Sequence, residues 1–149
     1  MLSEKIKIDL KESMKNKDAF RLSVLRSLSS AMQNEEIKLK KREVGLSEEE
    51  IVQVFQRESK KRKDSISQFE TGGREDLAEN EKKELEIIKQ YLPEQLSEED
   101  VRQKVKEIIT SHGEVLPSQF GQIMGQVMKE LQGKADGNLV KNVVKQELT

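Results

Sequence analysis

Apolar residues recur every third or fourth position along almost the whole chain, with charged residues between them, which is the spacing of amphipathic helices. Leu2, Ile6, Leu10 and Met14 mark a first helix. Phe20, Val24, Leu28, Ala31, Met32 and Leu39 mark a second, running from Asp18 to Lys40 and broken by Val44-Gly45. The third opens on Leu46-Ser47-Glu48-Glu49-Glu50-Ile51, in which Ser47 can cap the free amides, Glu50 can reach back and Leu46 can staple onto Ile51. Its stripe is Ile51, Val54, Phe55, Ile66 and Phe69, and Gly72-Gly73 ends it. A fourth, from Arg74 to Leu92, carries Leu77, Leu85, Ile88 and Tyr91. Pro93 stops it, because the residue before a proline leaves the helical region.

The capping chemistry then returns in Leu96-Ser97-Glu98-Glu99-Asp100-Val101, at the head of a fifth helix with Val101, Val105, Ile108 and Ile109 on one face. It ends near His112-Gly113. A sixth, after Pro117, has the full stripe Phe120, Ile123, Met124, Val127, Met128 and Leu131, with Gly133 placed for its C-terminal cap. Asp136 is placed to cap a last helix bearing Leu139, Val140, Val143, Val144 and Leu148. The pattern predicts an all-α protein: an N-terminal four-helix module over residues 1–93, followed by a small C-terminal three-helix bundle over 94–149. A bundle of about 55 residues is marginal by itself, so packing against the first module is expected.

Composition narrows the function classes. With 27 Lys+Arg against 28 Asp+Glu among 149 residues, no global field draws the chain onto a polyanion, and any such contact must be local. Aromatics are 3% of the chain, which argues against binding single strands by base stacking. The chain has no cysteine, so disulfide and thiolate chemistry are excluded. The charged start Met1-Leu2-Ser3-Glu4-Lys5 lacks the apolar run of a signal peptide, and no window approaches the roughly 20 apolar residues of a membrane span. The expectation is a soluble, cytoplasmic protein with no membrane attachment.

Candidate chemistry is sparse. The one histidine, His112, lies at a helix end where a cationic side chain suits the helix dipole, and a lone histidine with scattered carboxylates makes a poor transition-metal site. No Walker A loop or dinucleotide fingerprint is present. Catalytic residues, metal ligands and cofactors are therefore expected to be none. Two basic runs, Lys38-Leu39-Lys40-Lys41-Arg42 and Arg57-Glu58-Ser59-Lys60-Lys61-Arg62-Lys63, read either as solvated helix surface or as a phosphate-binding strip. Glu58 and Arg62, four apart on the stripe of Ile51 and Phe55, suggest a partly buried ion pair between the modules. Gly121 and Gly125 share one helix face, where another backbone could come close, either a neighbouring helix or a ligand. Gly133-Lys134-Ala135-Asp136-Gly137 is a tight turn with exposed amides at a helix N-terminus, geometry that suits a phosphate.

Taken in order, Asn34-Glu35-Glu36-Ile37, Tyr91-Leu92-Pro93-Glu94-Gln95-Leu96, Gly121-Gln122-Ile123-Met124-Gly125 and Gly133-Lys134-Ala135-Asp136-Gly137 resemble the YqeY family over essentially the whole chain. That family is similar to the C-terminal tail domain of the B subunit of the glutamine-dependent tRNA amidotransferase, which converts Glu-tRNA(Gln) or Asp-tRNA(Asn), and the resemblance implies a bacterial protein. The resemblance implies an all-α fold whose C-terminal module contacts the outer elbow of tRNA without performing chemistry. The tail pattern falls on Gly121, Met124, Gly125, Met128, Lys129, Gly133, Lys134 and Ala135, while Asp136-Gly137 stands where the amidotransferase tends to have Asn-Pro.

Three readings follow. The first is a module binding tRNA or another structured RNA by shape and backbone contacts through Lys129, Lys134, Lys141 and Lys145, with Lys61 and Arg62 as a second patch. From Pro117 to Thr149 those four lysines face Glu130, Asp136 and Glu147, a net of +1, so binding should be weak. The second is an accessory docking onto an amidotransferase or aminoacyl-tRNA synthetase through the Gly121/Gly125 face beside Met124 and Met128. The third, implied by resemblance, is a carbon–nitrogen ligase with glutamine as amide donor. Oligomeric state is not legible.

Overall fold

The computed structural model describes residues 1–148. Seven α-helices are present among them: α1 (Leu2–Lys15), α2 (Ala19–Lys38), α3 (Glu48–Thr71), α4 (Glu75–Lys89), α5 (Glu98–His112), α6 (Phe120–Leu131) and α7 (Gly137–Leu148), with a short 3₁₀ turn at Pro117–Gln119 leading into α6. The all-α expectation is met.

The helix starts follow their capping chemistry. The Ser47 hydroxyl accepts the Glu50 amide while the Glu50 carboxylate accepts the Ser47 amide, so both orphan donors are satisfied. Lys41 also grips that carboxylate at 2.8 Å, and its hydrogen bond holds Glu50 below the usual carboxylate range. Ser97 takes the Asp100 amide at the head of α5, and Asp18 takes the Arg21 amide at the head of α2. Two turns rest on lysines instead of glycines: Lys17 and Lys40 have φ of 54° and 57°. Lys40 closes α2 two residues before the sequence pattern would, and the Lys41 amide returns to the Glu36 oxygen.

The chain divides into two compact units, residues 1–92 and 93–149. In the first, Val24, Leu25 and Leu28 of α2 meet Ile51, Val54 and Phe55 of α3, with Ile6 of α1 and Ile88 of α4 closing the cluster. Phe55 is fully buried and meets Tyr91 edge-on, with ring centroids 6.2 Å apart. α3 and α4 form the most extensive pair, folded back at the Gly72-Gly73 turn, where Gly73 has φ of 73°. In the second unit Val101 and Val105 of α5, Ile123 and Val127 of α6, and Val140, Val143 and Val144 of α7 form one cluster. Leu116 and Met14, by contrast, are left exposed.

The Glu58–Arg62 pair lies inside the first unit, not between modules. Arg62 Nη1 donates to Glu58 at 2.7 Å, Nη2 to the Ser27 hydroxyl at 3.2 Å, and Nε lies 3.6 Å from Glu84. α2, α3 and α4 are thereby keyed together. The two side chains of the pair are only 13% and 11% exposed. Burial pushes the Glu84 carboxyl up, the Glu81 charge adds to it, and Arg62 pulls the other way. Removing only the cation from such a pair leaves an uncompensated charge. Arg62→Ala should therefore cost about 3 kcal/mol in urea unfolding, and the double change Arg62→Met with Glu58→Leu should cost much less. Equal costs for the two variants would show that the pair acts through packing and not through charge.

Candidate functional site

The family-like motifs of the second unit meet in space. Gln95 Nε2 donates to the main-chain oxygens of Gly133 and Pro93, each at 2.8 Å, and the Leu96 amide donates to the Lys134 oxygen at 2.8 Å. The strand of chain before α5 thus holds the α6–α7 turn by its carbonyls. Gly133 supplies the left-handed residue the turn needs, at φ of 80°, and Ala135 is buried beneath it. The Asp136 oxygen accepts the Val140 amide to start α7. Held this way, the turn points the Lys134 side chain into solvent. No local pattern marks Gln95 and Leu96 for this role, because their partners lie 38 residues further along.

On α6 the glycines do not let a neighbouring helix approach. A Cβ built at Gly121 or Gly125 meets no atom within 4 Å, so among the described residues no neighbouring helix takes up the space they leave. Gly137 differs, with the Met128 methyl 3.7 Å from such a Cβ. Gly121, Gly125 and Lys129 follow one another at four-residue steps, so they line one exposed face of α6. Met124 and Met128 are half-buried and pack against the core cluster.

Lys129, Lys134 and Lys141 are exposed and make no ion pair among the described residues. Lys145 lies one turn beyond Lys141 on α7. In the second patch, Arg62 is engaged by Glu58, Ser27 and Glu84 and is nearly buried, while Lys61 pairs with Glu58 at 3.1 Å and stays exposed. His112 closes α5 as expected and its ring meets Gln126. Arg102 ties α5 to the end of α7 through Glu147 at 2.8 Å, which raises the Arg102 pKa. No group of three His, Cys, Asp or Glu among the described residues could hold a metal ion, and no helix is long and apolar enough to cross a membrane.

In the first unit the motif residue Tyr91 is a clamp. Its hydroxyl donates to Asp9 of α1 at 2.5 Å and accepts from Arg21 of α2 at 3.1 Å, and Arg21 also reaches Gln90 at 3.0 Å. Lys5 sits over the ring, 5.3 Å from its centre. Burial, then the Asp9 hydrogen bond, drives the Tyr91 pKa well above the ordinary phenol value. Glu35, from another motif, anchors Arg57 across α2 and α3 at 2.8 Å.

These motif positions are matched as a set. A model described as Yqey-like protein matches residues 3–148. The chain belongs to the YqeY family. It is similar to altered inheritance of mitochondria protein 41, mitochondrial, from three yeasts. The Candida glabrata protein is 37% identical over 125 residues, covering 82% of this chain and 68% of the relative. The Saccharomyces cerevisiae protein is 35% identical over 134 residues, covering 88% and 68%. The Kluyveromyces lactis protein is 37% identical over 126 residues, covering 82% and 66%. These YqeY relatives overturn the plain cytoplasmic expectation, since their names place them in mitochondria, and they lend no support to a bacterial origin. A cysteine-free composition does not separate cytosol from organelle interior, which is why that inference failed.

The Tyr91 clamp gives a pH dependence. A phenol whose folded pKa is raised contributes stability that is intact below its unfolded value of about 10 and is lost as pH climbs above it. Tyr91→Phe in this YqeY protein should lower stability at pH 7 by about 1 kcal/mol. It should also flatten the decline in stability above pH 10. Parallel alkaline declines in the two proteins, measured by urea unfolding from pH 7 to 11, would remove Tyr91 as the titrating clamp.

Proposed function

We propose that the C-terminal unit of this YqeY protein docks onto structured RNA, tRNA in the first instance, by following its sugar–phosphate backbone. The observation that carries the reading is the α6 face: Gly121 and Gly125 leave room that no atom of the described residues fills, and Lys129 stands one turn further along. A mid-helix glycine such as Gly125 costs about 1 kcal/mol relative to alanine, and the fold obtains nothing in return. A backbone lying in that groove would use the space and place its phosphates near an exposed ammonium group. Lys134 on the clamped turn and Lys141 on α7 extend the cationic surface without acidic partners. With few aromatic side chains, recognition would rest on shape and phosphate contacts, not stacking.

Docking onto an amidotransferase or synthetase would use the same glycine face, but Met124 and Met128, its adaptable side chains, already lie against the core. Amide transfer by the chain alone would need a nucleophile with a positioned base. The groups that the C-terminal motifs bring together are main-chain amides and carbonyls, the Gln95 amide and lysines.

Fluorescence anisotropy with labelled tRNA at low salt tests the proposal. The protein should bind tRNA more tightly than a random RNA duplex, with a salt slope of about two to four phosphates. Lys134→Glu with Lys141→Glu should weaken binding about tenfold or more. Gly125→Ala should raise stability by up to about 1 kcal/mol while weakening tRNA binding. Equal affinity for the duplex, or binding untouched by these changes, overturns the RNA reading. Capture of a synthetase or amidotransferase that is lost in Gly125→Ala, with tRNA binding absent, would favour protein docking.

A further inference from the structure

A second surface, wholly within residues 1–92, is built for a different kind of ligand. The first turns of α1, the middle and end of α2 and the α2–α3 connection enclose a solvent-open cleft of about 460 Å³. That is within the size range of small-molecule sites. Ile6 and Met32, both buried core residues, contribute apolar lining. Lys7 and Arg42 bring two positive charges to it, and Glu36 and Glu43 bring two negative ones.

Those four charges give the cleft both signs. Ion pairs form readily in this unit: Lys41 with Glu50, Arg57 with Glu35, Lys82 with Glu70. Yet none of Lys7, Arg42, Glu36 and Glu43 forms an ion pair among the described residues, although all four line one cleft. Lys7, Arg42 and Glu43 are exposed and Glu36 is half-buried, so charges of both signs stand around the opening with their hydrogen-bonding capacity open to a ligand.

The wall that carries Arg42 and Glu43 is fixed in advance. Lys40 adopts the left-handed conformation, the Lys41 amide bonds to the Glu36 oxygen at 2.8 Å, and the Gly45 amide bonds to the Lys41 oxygen at 2.7 Å. Lys41 Nζ is itself anchored to Glu50. Little ordering of the loop would be needed on binding, which lowers the entropic cost of a small ligand.

We propose that this cleft binds a small zwitterion of di- or tripeptide size, its carboxylate facing Lys7 and Arg42 and its ammonium facing Glu36 and Glu43. A simple anion would use only half of the charges and would meet repulsion from the two carboxylates; a simple cation would meet the reverse. An uncharged ligand would use neither pair. Only a molecule with both charges, separated by a few bonds, complements the whole set.

The test is a titration of the ¹⁵N-labelled full chain, followed by amide chemical shifts. Trialanine should produce saturable shifts confined to residues 3–7, 29–36 and 42–45. N-acetyl-trialanine amide, with both charges blocked, should bind at least about tenfold more weakly, and the singly blocked peptides should fall between. Arg42→Gln should weaken peptides with a free carboxylate but leave the C-terminally amidated peptide unchanged. Glu36→Gln should do the same for peptides with a free amine, sparing the N-acetylated one. Both substitutions are on the surface and can be checked for folding by the same spectra. Absence of saturable shifts, equal shifts from the doubly blocked peptide, or equally strong binding of inorganic phosphate at these residues would each overturn the proposal. Because the RNA surface lies on α6, the α6–α7 turn and α7, failure here leaves that reading standing, and its failure leaves this one.

Discussion

A helix with a single apolar stripe can bury that stripe only once, and every helix in this chain is of that kind. Hydrophobic residues make up 34% of the sequence, so each helix offers one main row of side chains to its neighbours and is mostly polar elsewhere, with Ile8, Met14 and Ile37 left exposed. In residues 1–92 the rows of α2 and α3 meet around Leu25, Leu28, Ile51 and Phe55, all fully buried. In residues 93–149 the valines of α5, α6 and α7 do the same. What remains for recognition is mostly polar: lysines without ion-pair partners, unfilled glycine faces, and a cleft that brings charges of both signs to an apolar floor. Function in such a molecule must be sought where the stripes are not.

Narrow stripes also leave the sliding of one helix along another poorly specified, because aliphatic side chains pack acceptably in more than one register. Two polar clamps remove that freedom in the first unit. Arg62 can satisfy Glu58, the Ser27 hydroxyl and Glu84 together only when α2, α3 and α4 stand at one mutual height. Tyr91 can meet Asp9 and Arg21 together only when the end of α4 lies against α1 and α2. Glu84 and Tyr91, whose pKa values are raised chiefly by burial, belong to these clamps, so their perturbation reflects the desolvation needed to hold a register.

The local parts of this structure were legible in the sequence, since caps and breaks depend on neighbours a few residues apart. Ser47 with Glu50, Ser97 and the Gly72-Gly73 turn all follow from short-range chemistry, whereas α4 ends at Lys89, three residues before the Leu92 that the stop at Pro93 implied. Lys17 and Lys40 were not legible as left-handed turn residues, because the usual marker there is glycine and only the surrounding packing imposes the conformation. Arg62 looked like a phosphate contact because a basic run reads the same whether or not a distant glutamate lies beneath it. Glu84, 22 residues away, decides the matter. The link from Gln95 to Gly133 and the cleft at Lys7 and Arg42 are assembled from segments far apart in the chain, and no periodicity encodes them.

The glycines separate what the fold needs from what it merely tolerates. Gly45, Gly73, Gly113 and Gly133 all have positive φ, where any other residue is strained, so the backbone alone accounts for them. Gly121 and Gly125 lie within a regular helix, without positive φ and without a neighbour in the space a side chain would occupy. Alanine at either position would fit and would favour the helix. Neither the backbone nor the packing of α6 among the described residues asks for these two glycines. On the reading proposed above, an incoming phosphate backbone that approaches the helix axis is the partner for which the absence of a Cβ is an advantage, and Lys129 on the same face offers it a countercharge.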